Sequence, residues 1–306
     1  MTSLHFCLYN ARILKRKIIY LIGIKHYNLI FNIVYGDQTM LHVSVLTDDT
    51  PSRYKPLLAE RGLSMLVDYD GTKILFDTGY DDAFIRNAKM MGYNLGNLNA
   101  VVLSHAHFDH VAGYNALLDK NMAPKSLFIG NDFFAPKFIK DGPVFSNLAS
   151  ALSRERITKK GIKTREIQLQ MKLSNDLYLV TCSDSSPYAT PIPESHMKYR
   201  DRNFVKDNYS DEIALVAVTK TGLIVLAGRC HKGICNMVHY IRKTSSMKIA
   251  AIIGGMEPSF EKRELSYLEE SGVKFIGICN NECSLDDIPK TSINIARIAV
   301  GDEFFF

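Results

Sequence analysis

The sequence has few cysteines, and no two of them are spaced as a C-x-x-C pair. The six cysteines stand at positions 7, 182, 230, 235, 279 and 283 of a 306-residue chain, which is too sparse for a disulfide scaffold. We therefore interpret them as free thiols that are buried as small apolar side chains, and we expect a cytoplasmic protein. A disulfide or a structural zinc site is the weaker alternative.

Beyond residue 39 the chain carries little net charge, and nowhere does it contain a long uninterrupted apolar run. The net charge is +5, but residues 1–39 contain five Lys and Arg against one Asp, so the remainder is nearly neutral. A neutral body predicts no nucleic-acid partner, while the oligomeric state stays open. Lys25 and His26 interrupt the apolar stretch near the start, which leaves no span of about 20 apolar residues for a bilayer.

Residues 1–39 are therefore predicted to lie outside the folded core, with no stable membrane association. A weak membrane anchor, or a start codon assigned too far upstream, are the alternatives for this N-terminal extension. Met40 opens "MLHVSVLTDD", which is typical of the first strand of a domain. We expect one domain over residues 40–306.

Within 40–306, strand-like and helix-like segments alternate. Asp70-Gly71 and Lys220-Thr221 are predicted as the turns of two β-hairpins. The pattern predicts strands at 41–47, 64–70, 73–79, 100–104, 212–219, 222–228, 248–255, 274–280 and 298–306, and helices at 81–93, 111–118, 234–243, 261–271 and 287–296. Residues 130–175 and 184–210 read as irregular insertions that form a lid or a cleft wall. This order predicts an α/β (α+β) fold in which two sheets pack face to face with helices outside.

Three histidines and an aspartate crowd into six positions after the strand at 100–104, in "SHAHFDHVAG". His105 and His107 are two residues apart at a strand end and so face the same side. Asp109 and His110 lie on the turn into the next helix and can face the same space. Neutral imidazoles and a carboxylate without a cationic neighbour suit a borderline metal such as zinc. A loop of solvated histidines is the less favoured interpretation.

The H-x-H-x-D-H pattern, together with "FDTG" at 76–79, resembles the metallo-β-lactamase superfamily. Residues 60–117, 211–238 and 250–255 are similar to a narrower group, the dihydropterin–ribofuranosylaminobenzene phosphate synthases and related metal-dependent hydrolases. The resemblance implies the four-layer αββα sandwich of the metallo-β-lactamase type. It also implies a metal-dependent enzyme.

The resemblance assigns roles to particular residues. His105 and His107 match ligands of a first metal, and Asp109 and His110 match those of a second. Asp77 matches an aspartate that orients the histidines, and His231, in "GRCHKG", matches a further ligand. Additional candidate ligands are Asp211, Glu212, Glu257, Glu282 and Cys230.

The chain departs from the group at three histidines. "GGMEPSF" stands where the group has G-G-F-H-L, "NECS" where it has H-C-T-G, and Arg61 where it has the histidine of Glu-His-Gly. We therefore expect one tight zinc on His105, His107 and His231. A second site on Asp109 and His110 is expected to be weaker, and it is either completed by Glu257, Glu282 or Cys283 or empty. Manganese and iron are the alternatives for the metal. Of the remaining histidines, His196 is predicted to be a solvated loop residue and His239 a structural helix residue.

These residues predict a metal-dependent hydrolase, or a pterin-related transferase, for a small anionic substrate. A zinc-activated hydroxide would attack, with Asp109 orienting the water and accepting its proton and Asp77 holding the histidines. A binding or regulatory protein that kept the fold without turnover is the main alternative. A di-iron oxidoreductase, which has glutamate in place of His107 and needs a flavin domain, ranks lower, as does a nuclease.

Overall fold

The strands of this computed structural model cover most of the predicted β segments. The structure describes residues 40–149, 152–181, 186–256, 260–279 and 284–306, so the predicted N-terminal extension, Glu257, Glu282 and Cys283 lie outside it. In chain order the strands are β1 (Leu41–Thr47), β2 (Ser64–Tyr69), β3 (Thr72–Phe76), β4 (Ala100–Val102), β5 (Ser126–Gly130), β6 (Lys137–Asp141), β7 (Val144–Asn147), β8 (Lys163–Ile167), β9 (Gln170–Lys172), β10 (Leu177–Thr181), β11 (His196–Arg200), β12 (Asn203–Lys206), β13 (Ile213–Thr219), β14 (Gly222–Ala227), β15 (Ile249–Gly255), β16 (Phe275–Cys279), β17 (Asn294–Arg297) and β18 (Glu303–Phe305).

Helices flank these strands. They are α1 (Ala83–Met90), α2 (Phe108–Val111), α3 (Tyr114–Asp119), α4 (Arg154–Lys159), α5 (Ile234–Thr244) and α6 (Lys262–Glu270), with short 3₁₀ turns at Leu95–Asn97 and Leu285–Asp287. No helix among the described residues is both long and apolar enough to cross a bilayer.

Two seven-stranded sheets form the centre of residues 40–306. The first sheet has the order β18-β1-β2-β3-β4-β5-β8 and the second β17-β16-β15-β14-β13-β10-β9. Strands β3, β4, β5 and β8 run parallel to one another, as do β14 to β17, so their carboxyl ends lie at common sheet edges. The hairpins β2–β3 and β13–β14 are those predicted from the sequence.

Alternate side chains of the central strands enter different apolar layers. On β14, Ile224 and Leu226 pack between the two sheets, whereas Leu223 and Val225 face α5 and α6. On the first sheet, Leu75 belongs to a third apolar cluster with the side chains of α1 and α3. This two-residue alternation places helices outside both sheets. The predicted four-layer αββα sandwich is confirmed.

The regions predicted to be irregular contain a third sheet. Strands β6, β7, β11 and β12 form it in the order β12-β11-β6-β7, and α4, β8 and β9 also fall within these regions. The prediction of irregular insertions is therefore wrong. Its strands are short and mostly exposed, so they lack the apolar runs that identify a central strand.

The predicted helix at 287–296 is also wrong. The segment contains a 3₁₀ turn and then β17, which pairs with β16 in parallel. Pro289 interrupts a helical pattern, and Ile293 and Ile295 alternate with polar residues as in a strand. Helix α1 begins at Ala83, two residues after the predicted start of the helix at 81–93, and Asp82 precedes it.

Strand β1 lies inside the first sheet, between β18 and β2. The amide of Leu41 donates to the carbonyl of Phe306 at 3.1 Å, and the Phe306 amide donates back at 3.0 Å. Leu41, Val43 and Val45 are fully buried between the sheets, and such burial stabilises by roughly 1.5–3 kcal/mol per side chain. The described domain therefore begins with a core strand.

We expect a variant that starts at Met40 to fold and to bind metal as the full chain does. The physical reason is that β1 makes its sheet contacts within residues 40–306. Circular dichroism during heating and elemental analysis of both chains measure this. A truncated chain that is insoluble, beside a well-behaved full chain, would show that residues 1–39 complete the core.

Candidate metal centre

The candidate site lies where loops from the two sheets meet. Asp77 directly follows β3, and His105 and His107 follow β4, its parallel neighbour. His231 lies in the loop after β14 of the second sheet. A Cβ atom on Gly228 would stand 1.9 Å from the Oγ of Ser104, so glycine is needed for this close approach of the two loops.

The buried carboxylate of Asp77 organises the loop after β4. Its Oδ1 accepts the Ser104 amide at 2.6 Å, and its Oδ2 accepts the Ser104 hydroxyl at 2.7 Å. The same Oδ2 lies 2.7 Å from Nδ1 of His110. Asp77 adopts φ +57°, a conformation that aspartate tolerates better than most residues. The residue predicted to orient the histidines therefore contacts His110 directly.

These bonds determine which nitrogen of His105 carries its proton. The Ser104 hydroxyl donates its single hydrogen to Asp77, so it accepts from Nδ1–H of His105 at 2.9 Å. In a neutral imidazole the other nitrogen, Nε2, then carries a lone pair. That Nε2 is buried and has no hydrogen-bond partner in the part of the chain that the structure describes. A buried acceptor of this kind suits a metal ion.

His105, His107 and His231 come together as the sequence-based hypothesis expected of the tight site. One ring nitrogen from each lies within 4.8 Å of the other two. Burial, reinforced by the neighbouring histidines and basic side chains, lowers the pKa of all three well below the ordinary value. The rings are therefore neutral near pH 7, the form that binds metal. These donors fit a borderline divalent ion such as zinc.

The two residues predicted for a second metal are placed differently. The His110 ring lies 4.4 Å from that of His105, centroid to centroid, but its Nδ1 is bound to Asp77. Burial alone would lower the pKa of His110, and the Asp77 carboxylate raises it above the ordinary value. Asp109 pairs through Oδ2 with Nε of Arg61 at 3.4 Å. Both residues line the same cavity as the three histidines.

The additional candidates support the loops of the site from outside the histidine cluster. Asp211 accepts the amide of Ala106 at 2.7 Å and pairs with Lys137 at 3.0 Å. Glu212 accepts the amide of His231 at 2.6 Å, and burial raises its pKa. Cys230, at φ +56°, is buried in the apolar cluster beneath α5. Glu257 and Glu282 lie outside the described residues.

Tyr209 is a site residue that the sequence analysis missed. Its ring stacks on His231 at 4.1 Å between centroids, and its hydroxyl lies 2.7 Å from Nδ1 of His196 and 3.5 Å from Nε2 of His107. His196 is a half-buried residue of β11 that lines the cavity, so its prediction as a solvated loop residue is wrong. No local sequence pattern identifies Tyr209 or His196 as a site residue, because their positions near the histidines depend on how the third sheet folds. His239 lies within α5, as predicted.

A cavity of about 750 Å³ opens over the histidine cluster. Apart from the histidines, the charged residues that line it within the described ranges are three carboxylates and two guanidinium groups. They are Asp49, Glu60, Asp109, Arg61 and Arg229. Burial raises the pKa of Asp49, which the sequence analysis also missed. The cavity is large enough for a small molecule.

We expect Asp77→Asn to lower the free energy of unfolding by about 3 kcal/mol, because an amide NH₂ would face donors that the buried carboxylate now accepts. Urea unfolding measures this change. Asp141→Asn, at the exposed end of β6, is the control and should unfold like the wild type. Equal stability of Asp77→Asn and wild type would refute the role of Asp77 in organising the loop.

Comparisons with known proteins agree with this fold. Residues 58–187 match the family model of the metallo-β-lactamase superfamily. A 7,8-dihydropterin-6-methyl-4-(β-D-ribofuranosyl)-aminobenzene-5′-phosphate synthase from Methanocaldococcus jannaschii is 27% identical over 266 residues, which cover 81% of this chain and 89% of the relative. An uncharacterized protein of the same archaeon is 25% identical and covers 70% and 78%.

Solved structures show the same architecture. A metal-dependent hydrolase of the β-lactamase superfamily aligns with a TM-score of 0.70 at 24% identity, over 86% of this chain and 98% of that structure. The metallo-β-lactamase fold protein YhfI from Bacillus subtilis aligns with a TM-score of 0.52 at 13% identity, over 88% and 100%. The chain has the metallo-β-lactamase fold, and the resemblance of its sequence to the metallo-β-lactamase superfamily is confirmed.

Proposed function

We propose that the protein is a metal-dependent hydrolase that uses zinc and acts on a small anionic substrate. The observation that carries the proposal is the convergence of three neutral imidazoles on one cavity, with Nε2 of His105 buried and without a hydrogen-bond partner among the described residues. A buried histidine with a purely structural role usually makes hydrogen bonds with both ring nitrogens. The unpartnered Nε2 of His105 therefore favours a role as a metal ligand.

His105, His107 and His231 would hold the metal. Bound there, a zinc ion supplies Lewis acidity and a water whose pKa is near 7. Asp109, on the same cavity, would orient the attacking water and accept its proton. Asp77 keeps the histidine loop in place through Ser104 and His110.

The charges of the cavity support an anionic substrate only when a metal is bound. Three carboxylates outnumber two guanidinium groups among its described lining residues, so by itself the lining does not attract anions. A divalent cation at the histidines reverses that balance. Metal binding and substrate binding are therefore expected to be coupled.

A pterin-related transferase is the second candidate. It rests on the synthase from Methanocaldococcus jannaschii, whose name specifies a dihydropterin joined to a ribofuranosyl aminobenzene phosphate. That phosphate is consistent with the anionic substrate proposed here. The transferase differs from the hydrolase in requiring two organic substrates, which separates the two candidates experimentally.

Elemental analysis of the purified full chain, followed by an activity screen, tests the proposal. The screen contains phosphomonoesters, phosphodiesters, thioesters and lactones. It also pairs a reduced pterin that carries a leaving group on its 6-methyl carbon with an aryl ribofuranosyl phosphate. Turnover of a single ester that a chelator abolishes and zinc restores would support the hydrolase. Turnover of the pair alone would support the transferase. Bound metal with no turnover would support the binding-protein alternative.

We expect His105→Ala to lose most bound zinc, and activity with it, because one of three imidazole donors is removed. His239→Ala removes a histidine of α5 outside the cavity, and it should retain wild-type metal content. Elemental analysis of both variants measures the difference. If His105→Ala retains its zinc, the metal site lies elsewhere.

A further inference from the structure

The loop between β1 and β2 carries Arg61 and is fixed on both sides of it. The amide of Glu60 donates to the carbonyl of Asp48 at 3.2 Å, and the Glu60 carboxylate accepts the amide of Tyr80 at 3.1 Å. On the other side, the amide of Gly62 donates to Oδ1 of Asp49 at 2.8 Å. The backbone on either side of Arg61 is thereby held by hydrogen bonds.

This loop also packs directly on the histidine motif. Gly62 adopts φ +97°, and a Cβ atom there would stand 1.6 Å from the carbonyl oxygen of Asp109. Only glycine permits that contact and that conformation together. The position of Arg61 is therefore determined relative to the loop that carries the proposed ligands.

The Arg61 side chain is held at one edge and open at the other. Its Nε contacts Asp109 at 3.4 Å, and its guanidinium carbon lies 5.3 Å from the centre of the Phe108 ring. The side chain is 69% exposed, and the guanidinium makes no further hydrogen bond or ion pair with any residue that the structure describes. Arg61 lines the cavity. A guanidinium has five N–H donors, so most of them remain for a ligand.

The ion pair between Arg61 and Asp109 contributes too little to folding stability to explain this arrangement. Ion pairs with one exposed partner contribute roughly 0–1 kcal/mol to folding. A guanidinium that is oriented in advance loses less side-chain entropy when it binds an oxyanion, and its planar fork matches two phosphate oxygens. The geometry is therefore that of a binding group.

We propose that Arg61 is the substrate-anchoring residue of this cavity and that it binds the phosphate of a phosphomonoester beside the three-histidine cluster. This inference rests on the proposed function, because it places the anion of that substrate. Besides the part proposed for it in catalysis, Asp109 holds Nε of Arg61 through Oδ2. Arg229, which lines the same cavity, adds positive charge without needing to contact the ligand.

Inorganic phosphate and dimethyl phosphate are the probes, titrated by calorimetry into the full chain with its metal as purified. We expect Arg61→Gln to weaken phosphate binding at least about tenfold, since a charge-assisted bidentate contact is lost. Arg61→Lys keeps the charge without the fork and should fall between Arg61→Gln and wild type. Metal content, measured on the same samples, should not change.

Arg86→Gln is the matched control. Arg86 is 64% exposed, pairs through Nε with Asp82 at 2.8 Å, and lies on α1 outside the cavity lining. Its removal changes the net charge equally and should leave phosphate affinity at the wild-type value. Tighter binding of phosphate than of dimethyl phosphate by the wild type identifies the monoester, and the reverse order would overturn that assignment.

Three other results would overturn the anchor. They are wild-type phosphate affinity in Arg61→Gln, equal weakening in Arg86→Gln, and loss of metal from Arg61→Gln, which would place the effect at the metal ligands. Failure of the proposed function looks different. In that case the purified chain holds metal and shows the Arg61-dependent difference in phosphate affinity, but it turns over none of the screened compounds.

Discussion

The buried carboxylate of Asp77 is the interaction on which the candidate site depends. Removing a carboxylate from water costs several kcal/mol, and hydrogen bonds from the Ser104 amide, the Ser104 hydroxyl and the His110 ring offset that cost. Because Ser104 donates to Asp77, it must accept from His105. One charge thus orients two imidazoles and leaves Nε2 of His105 as an acceptor.

A second buried ion-pair network ties the third sheet to the site. Lys137, only 2% exposed, lies on β6 opposite Lys198 on β11. It pairs with Asp211, whose other oxygen accepts the amide of Ala106 between His105 and His107. Breaking such a pair leaves an uncompensated buried charge, so the sheet and the histidine loop are positioned together. Tyr209 reaches His231 and His107 from this side.

The two sides of the cavity differ in character. The three histidines are buried and neutral near pH 7, because burial lowers the pKa of each, and neutral imidazole is the form that binds metal. The loop that bears Arg61 presents an exposed cation instead. Asp109 lies between them and is engaged by Arg61. In the group, a histidine stands where this chain has Arg61. The substitution has a structural consequence, because the guanidinium of Arg61 contacts Asp109.

The sequence by itself determined the sandwich, its hairpins and the grouping of His105, His107 and His231. These predictions rest on patterns within short stretches of the chain: apolar residues at the period of a strand or a helix, and a dense histidine motif directly after a strand. The superfamily resemblance rests on the same short motifs. Tertiary structure alone decided that 130–175 and 184–210 contain a sheet, that 287–296 is not a helix, and that His196, Tyr209 and Asp49 line the cavity. The physical reason is that short, exposed strands are stabilised by partners distant in sequence, here buried lysines and carboxylates, and such partners leave no local pattern.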